Sequence, residues 1–293
     1  VFKILFNVSP LYIVLMVTIY LSSFIFRAIR WKLMIKKDDN INFNNCFKAI
    51  VIGFAGNNFI PARGGELLRM EVFSRNTKLN RVTTISSVLI EKIIDGLVLV
   101  LFLQIVLAFN TEFLNENWMQ NLALFSTFLF ISMISILIFL RIYGHLLISF
   151  IDNKKSKPFQ ILKELKNKIN SAILFIDWSF NSFQVLILSL SIWIVECLVF
   201  YIAFFAFEIG NFPIYESLLT LSVVNFGILI PSSPAYIGVF QAMIILALML
   251  FSIDENTALS LGILIHSCQF LPVTILGVYF LLKQSRIFNK VGF

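Results

Sequence analysis

Apolar residues follow one another along this chain in long blocks that few charged residues interrupt. Five blocks hold about 20 apolar residues each, which is enough for a helix to cross a hydrocarbon core of about 30 Å. They are residues 10–30, 82–109, 121–143, 183–207 and 257–282. Two more apolar stretches, 43–60 and 215–252, are broken by glycine and proline. The pattern predicts an all-α integral membrane protein, a multi-pass helical bundle.

The composition agrees with this fold class. Of the 293 residues, 59% are hydrophobic and only 13% are charged, which is too apolar for a soluble domain of this length. The formal net charge of +7 is of the sign that nucleic-acid binding requires. The basic residues, however, cluster in the connections between apolar blocks. We therefore expect membrane lipids as partners, and no nucleic acid.

The charge of each connection predicts the side of the membrane that it faces. Nearly all lysines and arginines lie in residues 27–48, 63–81, 141–168 and 283–290. The connections 110–120, 208–217 and 252–256 have none and carry acidic residues instead. Cytoplasmic loops of membrane proteins carry the excess of basic residues. The first set is therefore predicted to be cytoplasmic and the second external.

The two broken stretches begin and end on the same predicted side. The flanks of 43–60 are basic at both ends, and those of 215–252 are acidic at both ends. Each stretch is therefore predicted to form a re-entrant hairpin, the first entering from the cytoplasm and the second from outside. In the alternative, 43–60 spans the membrane as a helix of about 25 Å, which would place Arg75 and Arg81 outside, against the charge rule.

This topology divides the single transmembrane domain, residues 1–293, into two similar units. Residues 10–109 and 183–282 both consist of helix, hairpin and helix, and the linking span 121–143 inverts the second unit relative to the first. Paired broken helices in inverted repeats indicate a binding site near the membrane midplane. Residues 154–178 show helical apolar spacing with lysines off the stripe, which predicts a cytoplasmic amphipathic helix. A solvated connector is the alternative.

The first hairpin turn, in the stretch GNNFIPARGGELLR (56–69), has the composition of an anion site. A half-helix that begins near Gly64 presents unpaired N–H groups and a positive dipole end. Gly64 and Gly65 would let a ligand approach the backbone, and Arg63 could hold a phosphate through two parallel hydrogen bonds. In the alternative, the break only shapes the bundle and Arg63 pairs with Glu66.

The second turn is predicted to complete the site. Ser233 and Pro234 resemble the N-cap and first residue of a returning half-helix, so that two half-helix N-termini would face each other. Asn57 and Asn58 are predicted to satisfy carbonyls freed at the first break. The predicted substrate-binding residues are Asn57, Asn58, Arg63, Gly64, Gly65, Glu66, Arg69, Ser233, Gly238 and Gln241.

Further ionisable residues fall inside the apolar blocks, where each charged one costs roughly 2.5–3.5 kcal/mol to insert. They are Glu91, Lys92, Asp95, Glu196 and His266. The carboxylates are candidates for a proton or cation site, or for counter-ions of Arg63. The alternative is a buried ion-pair network that locks the hairpin to its neighbours. For His266 the alternative is a hydrogen-bonded core histidine.

The sequence contains no recognisable catalytic, nucleotide-binding or metal-binding motif. It has two histidines and three cysteines, without zinc spacing, a metalloprotease helix or a glycine-rich nucleotide loop. We therefore expect no enzymatic activity, no cofactor and no metal site.

Four motifs carry a family resemblance. They are RAIRW (27–31), NNFIPARGGELLR (57–69), EKIIDGL (91–97) and PSSPAYIGVFQ (231–241). They resemble the transmembrane-region family of lysylphosphatidylglycerol synthases, a flippase-like membrane domain that occurs alone in prokaryotes or fused to an aminoacyl-lipid synthase. The resemblance covers nearly the whole chain and implies a location in the prokaryotic cytoplasmic membrane.

The chain departs from the family pattern in its second turn. Where the family has Pro-Gly-Gly-x-Gly-x-x-Glu, this chain has Pro234 to Gln241 without the glycine pair and the final acid. We therefore expect weaker ligand binding there than at the first turn. Family members usually begin with one more helix, so we expect a further span before Val1. We also expect no synthase domain after Phe293, and therefore no aminoacyl transfer.

The resemblance and the charge pattern together lead to a functional expectation. We expect a flippase-like protein that moves a phospholipid or polyprenyl-linked lipid between leaflets, with the headgroup phosphate near mid-membrane half-helix N-termini. The alternative is a lipid-binding or scaffold subunit that presents the lipid to a partner glycosyltransferase or synthase.

Overall fold

The chain folds into α-helices throughout the part that the structure describes. The computed structural model describes residues 5–291 except 6, 36–40, 62, 78, 80, 153–179, 210–212 and 230–232. These residues form nine α-helices and two short 3₁₀ turns, without a strand. The helices are α1 (Pro10–Met34), α2 (Phe43–Asn57), α3 (Gly65–Thr77), α4 (Arg81–Phe109), α5 (Asn117–Asp152), α6 (Phe180–Ala206), α7 (Ile214–Gly227), α8 (Val239–Met249) and α9 (Glu255–Val291). The predicted all-α fold is confirmed, whereas the predicted amphipathic helix at 154–178 lies outside the described residues.

The five predicted spans are present as long apolar helices. Among the described residues, five segments are long and apolar enough to cross a membrane: Pro10–Met34, Ser87–Phe109, Asn117–Ser135, Asn181–Ala206 and Glu255–Gln284. Their outer faces carry large exposed apolar side chains, such as Leu124, Phe128 and Ile275, each about 70% exposed. A contiguous apolar surface of this kind suits lipid better than water. The chain is therefore a multi-pass membrane protein.

The first broken stretch forms an antiparallel pair of short helices. Helices α2 and α3 have 15 and 13 residues, which gives lengths of about 22 Å and about 20 Å, so neither spans a 30 Å core. Gly53 lies beside Arg69 and Gly56 beside Gly65, so the helices run in opposite directions. The predicted start of a half-helix near Gly64 is confirmed. The re-entry of this hairpin into the membrane stays a prediction.

The second broken stretch also contains two short helices, α7 and α8, of 14 and 11 residues. The predicted start of the returning helix at Pro234 is wrong. Residues Pro234–Tyr236 form a 3₁₀ turn, and α8 begins at Val239 with Gly238 at its N-cap. Ala235 and Tyr236 have φ angles of 58° and 60°, and this left-handed backbone ends the turn before a helix can continue.

The helix order repeats on either side of α5. Two long helices enclose two short ones in α1 to α4 and again in α6 to α9. Helix α1 packs along α6, α9 packs along α2, and α4 contacts α3, α6 and α7. The two units therefore interleave around a shared interior, while their inverted relation in the membrane stays a prediction.

Local hydrogen bonds fix several helix ends. The side chain of Asn42 accepts a hydrogen bond from the amide of Asn45 at 2.8 Å and caps α2. Asp254 caps α9 in the same way, accepting from the amide of Thr257 at 3.0 Å. Glu71 of α3 accepts hydrogen bonds from Arg81, at the start of α4, and from Arg75; these bonds lower the pKa of Glu71 to about 2. The exposed end of α3 is thereby tied to α4.

Candidate functional site

A cavity of about 210 Å³ lies where the two hairpins meet α1, α4, α6 and α9. Five charged residues line it: Arg27, Arg63, Lys92, Asp95 and Glu196. Aromatic side chains, including Tyr20, Phe54, Trp193, Tyr236 and Phe240, form much of the remaining wall. A cavity with apolar walls and a few converging charges has the composition of a ligand-binding site.

Arg63 joins the turns of the two hairpins. Its Nη2 donates a hydrogen bond of 3.3 Å to the carbonyl oxygen of Ile228, just after α7. Its guanidinium carbon lies 5.9 Å from the ring centre of Tyr236. The residue has a φ angle of 56°, in the left-handed region that suits a sharp turn. Among the described residues, no carboxylate forms an ion pair with Arg63, so the alternative in which it pairs with Glu66 does not describe this structure.

Beside the cavity, arginines and carboxylates from different helices form a buried network. Arg69 of α3 donates to both carboxylate oxygens of Glu91, at 3.1 and 2.8 Å, and its guanidinium lies 3.9 Å from the ring centre of Trp31. Arg30 of α1 donates to both oxygens of Asp95, at 2.5 and 3.2 Å. Arg30, Arg69 and Glu91 have no exposed surface. These bidentate pairs lock α1, α3 and α4 together.

A looser ion pair faces the cavity itself. Arg27 of α1 donates one hydrogen bond of 3.1 Å to Oε1 of Glu196 in α6, and the hydroxyl of Ser23 donates to the same oxygen. The Nη1 of Arg27 lies 3.9 Å from the nearest oxygen of Asp95, which is too far for a hydrogen bond. Arg27 therefore retains donor groups that no described side chain uses.

The network is balanced in formal charge. Four cations (Arg27, Arg30, Arg69 and Lys92) pair with four carboxylates (Glu66, Glu91, Asp95 and Glu196). Lys92 reaches Glu66 at 2.8 Å and Arg69 lies 3.6 Å from it. Arg63 lines the same cavity outside these pairs. With Arg63 included, this group of described side chains has one unit of positive charge in excess.

The buried carboxylates therefore do not act as counter-ions of Arg63, which was one of the predicted roles. Glu91, Asp95 and Glu196 pair with Arg69, Arg30 and Arg27 rather than with Arg63. This arrangement is the ion-pair network that the sequence left as an alternative. Arg69 itself is committed to Glu91 and does not line the cavity.

The glycines of the first turn serve helix packing. A Cβ atom on Gly65 would overlap the carbonyl oxygen of Gly53 and the backbone of Asn57, and one on Gly64 would overlap Ile60. Protein atoms thus fill the space that we expected a ligand to use. The amides of Gly64, Glu66 and Leu67 donate to the carbonyls of Pro61, Arg63 and Gly64. These turn bonds reduce the number of donors that the start of α3 can offer to an anion.

The two asparagines of the turn line the cavity, as does Asn225 in the second hairpin. The Asn58 amide donates to the hydroxyl of Thr274 in α9 at 2.6 Å, so it bonds a side chain and not a freed carbonyl. The Oδ1 of Asn57 is buried without a hydrogen-bond partner. An unsatisfied buried oxygen of this kind needs a donor, which a ligand or water in the cavity would provide.

In the second turn, the predicted residues bond mainly to one another. The Ser233 hydroxyl donates to the carbonyl of Ile237 at 2.6 Å, and Gln241 accepts from the amide of Gly238 at 2.9 Å. Nε2 of Gln241 lies 3.0 Å from Nδ1 of His266, whose ring stacks on Phe240 with 4.6 Å between centres. Of these residues, His266 and Phe240 line the cavity. The turn is thus self-capped, and its contribution to a binding site comes from its aromatic neighbours.

Arg27 and Arg30 are interior residues that the pattern of apolar blocks did not predict. Both were counted with the basic flank of the first span, yet they are 3% and 0% exposed inside the bundle. Their spacing gave a usable signal, because arginines at i and i+3 share a helix face. The charge balance gave a second signal. Arg63, Arg69 and Lys92 are three cations, whereas Glu66 and the three carboxylates at membrane depth make four anions.

Fold and site together define a class of protein: a multi-pass helical membrane protein with a charged cavity between broken helices. The chain belongs to the family described as the lysylphosphatidylglycerol synthase TM region, which matches residues 1–277. The resemblance drawn from the motifs is confirmed.

Two proteins of Methanocaldococcus jannaschii are similar to the chain. UPF0104 membrane protein MJ1595 is 25% identical over 305 residues, covering 99% of this chain and 90% of that protein. UPF0104 membrane protein MJ1078 is 24% identical over 243 residues, covering 80% of this chain and 96% of that protein. No solved structure was found to match the chain.

Proposed function

We propose that the protein binds the phosphate of a lipid headgroup in this cavity and moves the lipid between the leaflets of a prokaryotic cytoplasmic membrane. The observation that supports the proposal most strongly is the unpaired guanidinium of Arg63 at the junction of the two hairpins. A guanidinium offers two parallel N–H donors that match two phosphate oxygens. The carbonyl of Ile228 is a weak, neutral partner that a phosphate would displace.

The charge count supports a singly charged ligand. The paired cations and carboxylates cancel, which leaves the charge of Arg63 for the ligand. A phosphodiester headgroup carries one negative charge and would neutralise this excess when all four carboxylates are ionised. An anionic phospholipid such as phosphatidylglycerol contains such a group, and so does a sugar joined to a polyprenol through one phosphate.

The surface of the hairpin turns supports entry from the lipid phase. Phe59 and Ile60 in the first turn and Leu229 and Ile237 beside the second are exposed apolar side chains. Acyl or prenyl tails could stay in contact with such residues while the headgroup occupies the polar cavity. This arrangement avoids transfer of the tails through water.

A second candidate function follows from the family description, which links this membrane region to a synthase. In this candidate the protein binds the lipid and presents it to a partner synthase or glycosyltransferase. The same cavity would hold the headgroup, but the lipid would stay in one leaflet. Movement of lipid by the purified protein alone therefore separates the two functions.

The test uses proteoliposomes of phosphatidylcholine that contain a trace of phosphatidylglycerol labelled with a fluorophore on one tail. Dithionite added outside reduces only the outer-leaflet fluorophore, so the slow fluorescence loss reports movement between leaflets. We expect the wild-type protein to accelerate that loss and Arg63→Ala to reduce the acceleration at least tenfold. Arg63→Lys should restore part of it, because an ammonium cannot reproduce the planar fork of the guanidinium.

Arg75→Ala is the matched control, because it removes an exposed arginine of α3 distant from the cavity lining. It should move lipid at the wild-type rate. If Arg63→Ala folds normally and moves lipid as fast as Arg75→Ala does, the proposed phosphate site is wrong. If the wild type binds the lipid without moving it, the presenting function is favoured.

A further inference from the structure

The pair of Arg27 and Glu196 differs from the other buried pairs in how it is bonded. Glu91 and Asp95 each use both carboxylate oxygens to accept from an arginine. Glu196 accepts from both Arg27 and Ser23 through Oε1 alone. Among the described residues, no hydrogen bond reaches its Oε2, although the residue is only 6% exposed and lines the cavity.

Arg27 likewise makes fewer hydrogen bonds than its guanidinium could. It makes one hydrogen bond, its Nε is buried without a partner, and its guanidinium lies over Phe54 and Trp193 at 5.0 and 5.6 Å from their ring centres. An arginine that lines an aromatic cavity with free N–H groups is a natural phosphate ligand. Its charge, however, is neutralised by Glu196 as long as that carboxyl is ionised.

We infer that Glu196 takes up a proton when an anionic headgroup enters the cavity, and that Arg27 is thereby released to bind the phosphate together with Arg63. This inference rests on the proposed function. The proton comes from the acid form of the buffer in the bulk solution, leaves the buffer base there, and bonds to Oε2, so the carboxylate becomes a neutral acid. Oε1 can still accept from Ser23, while Arg27 keeps only the more distant charge of Asp95, 3.9 Å away and beyond hydrogen-bond distance. The incoming anion then meets two guanidinium groups that no carboxylate hydrogen-bonds, and the proton on Glu196 adds one positive charge to the excess that Arg63 already provides.

The groups around Glu196 favour this site over its neighbours. Tyr20 and Arg27 from α1 and Asp95 from α4 are the titratable groups that act on it, and α7 and α9 add Asn225 and His266 to the cavity. Asp95 is held by Arg30 and also accepts from the indole N–H of Trp193 at 3.0 Å. Both oxygens of Asp95 thus accept hydrogen bonds, so a proton on either would displace at least one donor, whereas Oε2 of Glu196 is open to receive a proton.

Proton uptake upon lipid binding tests the inference directly. The full chain in detergent micelles is titrated with dioctanoyl phosphatidylglycerol by isothermal calorimetry, in two buffers of different ionisation enthalpy, at several pH values from 5 to 8. Where Glu196 is ionised before binding, we expect the wild type to take up close to one proton per lipid. Its Kd should then rise by up to about tenfold per pH unit.

Glu196→Gln should bind the lipid without proton uptake, and its Kd should not change with pH. His266→Gln should retain the uptake; this variant removes the imidazole that lines the same cavity. Because Glu196→Gln leaves Arg27 without a counter-charge and could fail to fold, the double variant Arg27→Gln/Glu196→Gln is measured as well. It should lose the proton uptake and bind more weakly than the wild type does at pH 5.

The outcomes separate the inference from the function on which it rests. If the wild type binds the lipid without proton uptake, or if either variant at position 196 keeps the uptake, the inference is wrong and the lipid site stands. Loss of the uptake in His266→Gln would assign the proton to His266 and also overturn it. If the wild type does not bind the lipid, or if Arg63→Ala binds it equally well, the proposed function fails first.

Discussion

At the scale of single residues, Arg69 carries most of the connection between the first hairpin and α4. Its guanidinium is stacked on Trp31 and bonded to both oxygens of Glu91, without any exposed surface. Water does not reach charges buried in this way, so their ion-pair and ring-stacking partners must stabilise them. The residue therefore has a structural role in this bundle, which differs from the substrate contact that its place in the motif predicted.

We expect Arg69→Ala to destabilise the protein by about 3–5 kcal/mol, because it leaves Glu91 buried without its main partner. Thermal and denaturant unfolding in detergent micelles would measure the change. The double variant Arg69→Met/Glu91→Leu removes both charges and should be closer to the wild type than Arg69→Ala is. Equal stability of Arg69→Ala and the wild type would show that Lys92 and Arg30 compensate for the loss.

The sequence could place the buried acids but not choose their partners. The depth of Glu91, Asp95 and Glu196 follows from counting along apolar helices, so their burial was predictable. Their partners depend on how α1 packs against α4 and α6, which no local pattern encodes. Arg27 and Arg30 lie near the end of an apolar block. An arginine at such a position can flank the membrane or point into the bundle, and the local sequence is the same in both cases.

At the scale of elements, the hairpin of α2 and α3 depends on the absence of side chains at their contact. A Cβ on Gly56 would lie 2.8 Å from the Cα of Gly65, and one on Gly53 would lie 2.7 Å from the Cβ of Arg69. Backbones at this distance pack without intervening side chains, as small residues permit in membrane helices. The break at residues 58–64 was predictable from its proline and glycines, but the use of those glycines for packing was not.

Gly65→Ala should separate α2 from α3 and destabilise the protein by at least about 1–3 kcal/mol, as overpacking does. The obstacle is the carbonyl of Gly53, which is backbone and cannot rotate away. Gly262→Ala is the control, because its Cβ would meet neighbours only at 3.5 Å or more. The measurement is the melting temperature of each variant compared with that of the wild type. An unchanged melting temperature for Gly65→Ala would contradict the close packing of α2 and α3.

At the scale of the whole molecule, the helix order and the charges of the connections predict a topology. The interrupted stretches each contain two helices too short to span, and α5 lies between the two four-helix units. The inverted arrangement would place the exposed end of α3 in the cytoplasm and the starts of α7 and α9 outside. Helix lengths and loop charges were readable in the sequence; the positions of the short helices in the membrane depend on packing and lipid together.

Single cysteines report this topology in a background whose three native cysteines are replaced. Position 75 should react with a membrane-impermeant maleimide only after the cells are opened, and positions 216 and 254 should react in intact cells. Arg75 is exposed at the end of α3, and Glu216 and Asp254 lie at the starts of α7 and α9. Labelling of position 75 from outside intact cells would contradict the first re-entrant hairpin.

The contact between the hairpin turns gives the molecule an uneven stiffness. Helices α1, α3 and α4 are braced by two bidentate ion pairs that are almost completely buried. Across the turns, Arg63 contributes a single hydrogen bond to Ile228 and a distant contact with Tyr236, and a hydrogen bond of this kind is worth only about 0.5–1.5 kcal/mol. Under thermal motion we therefore expect the largest displacements at the contact between the two hairpin turns, and smaller displacements in α1, α3 and α4.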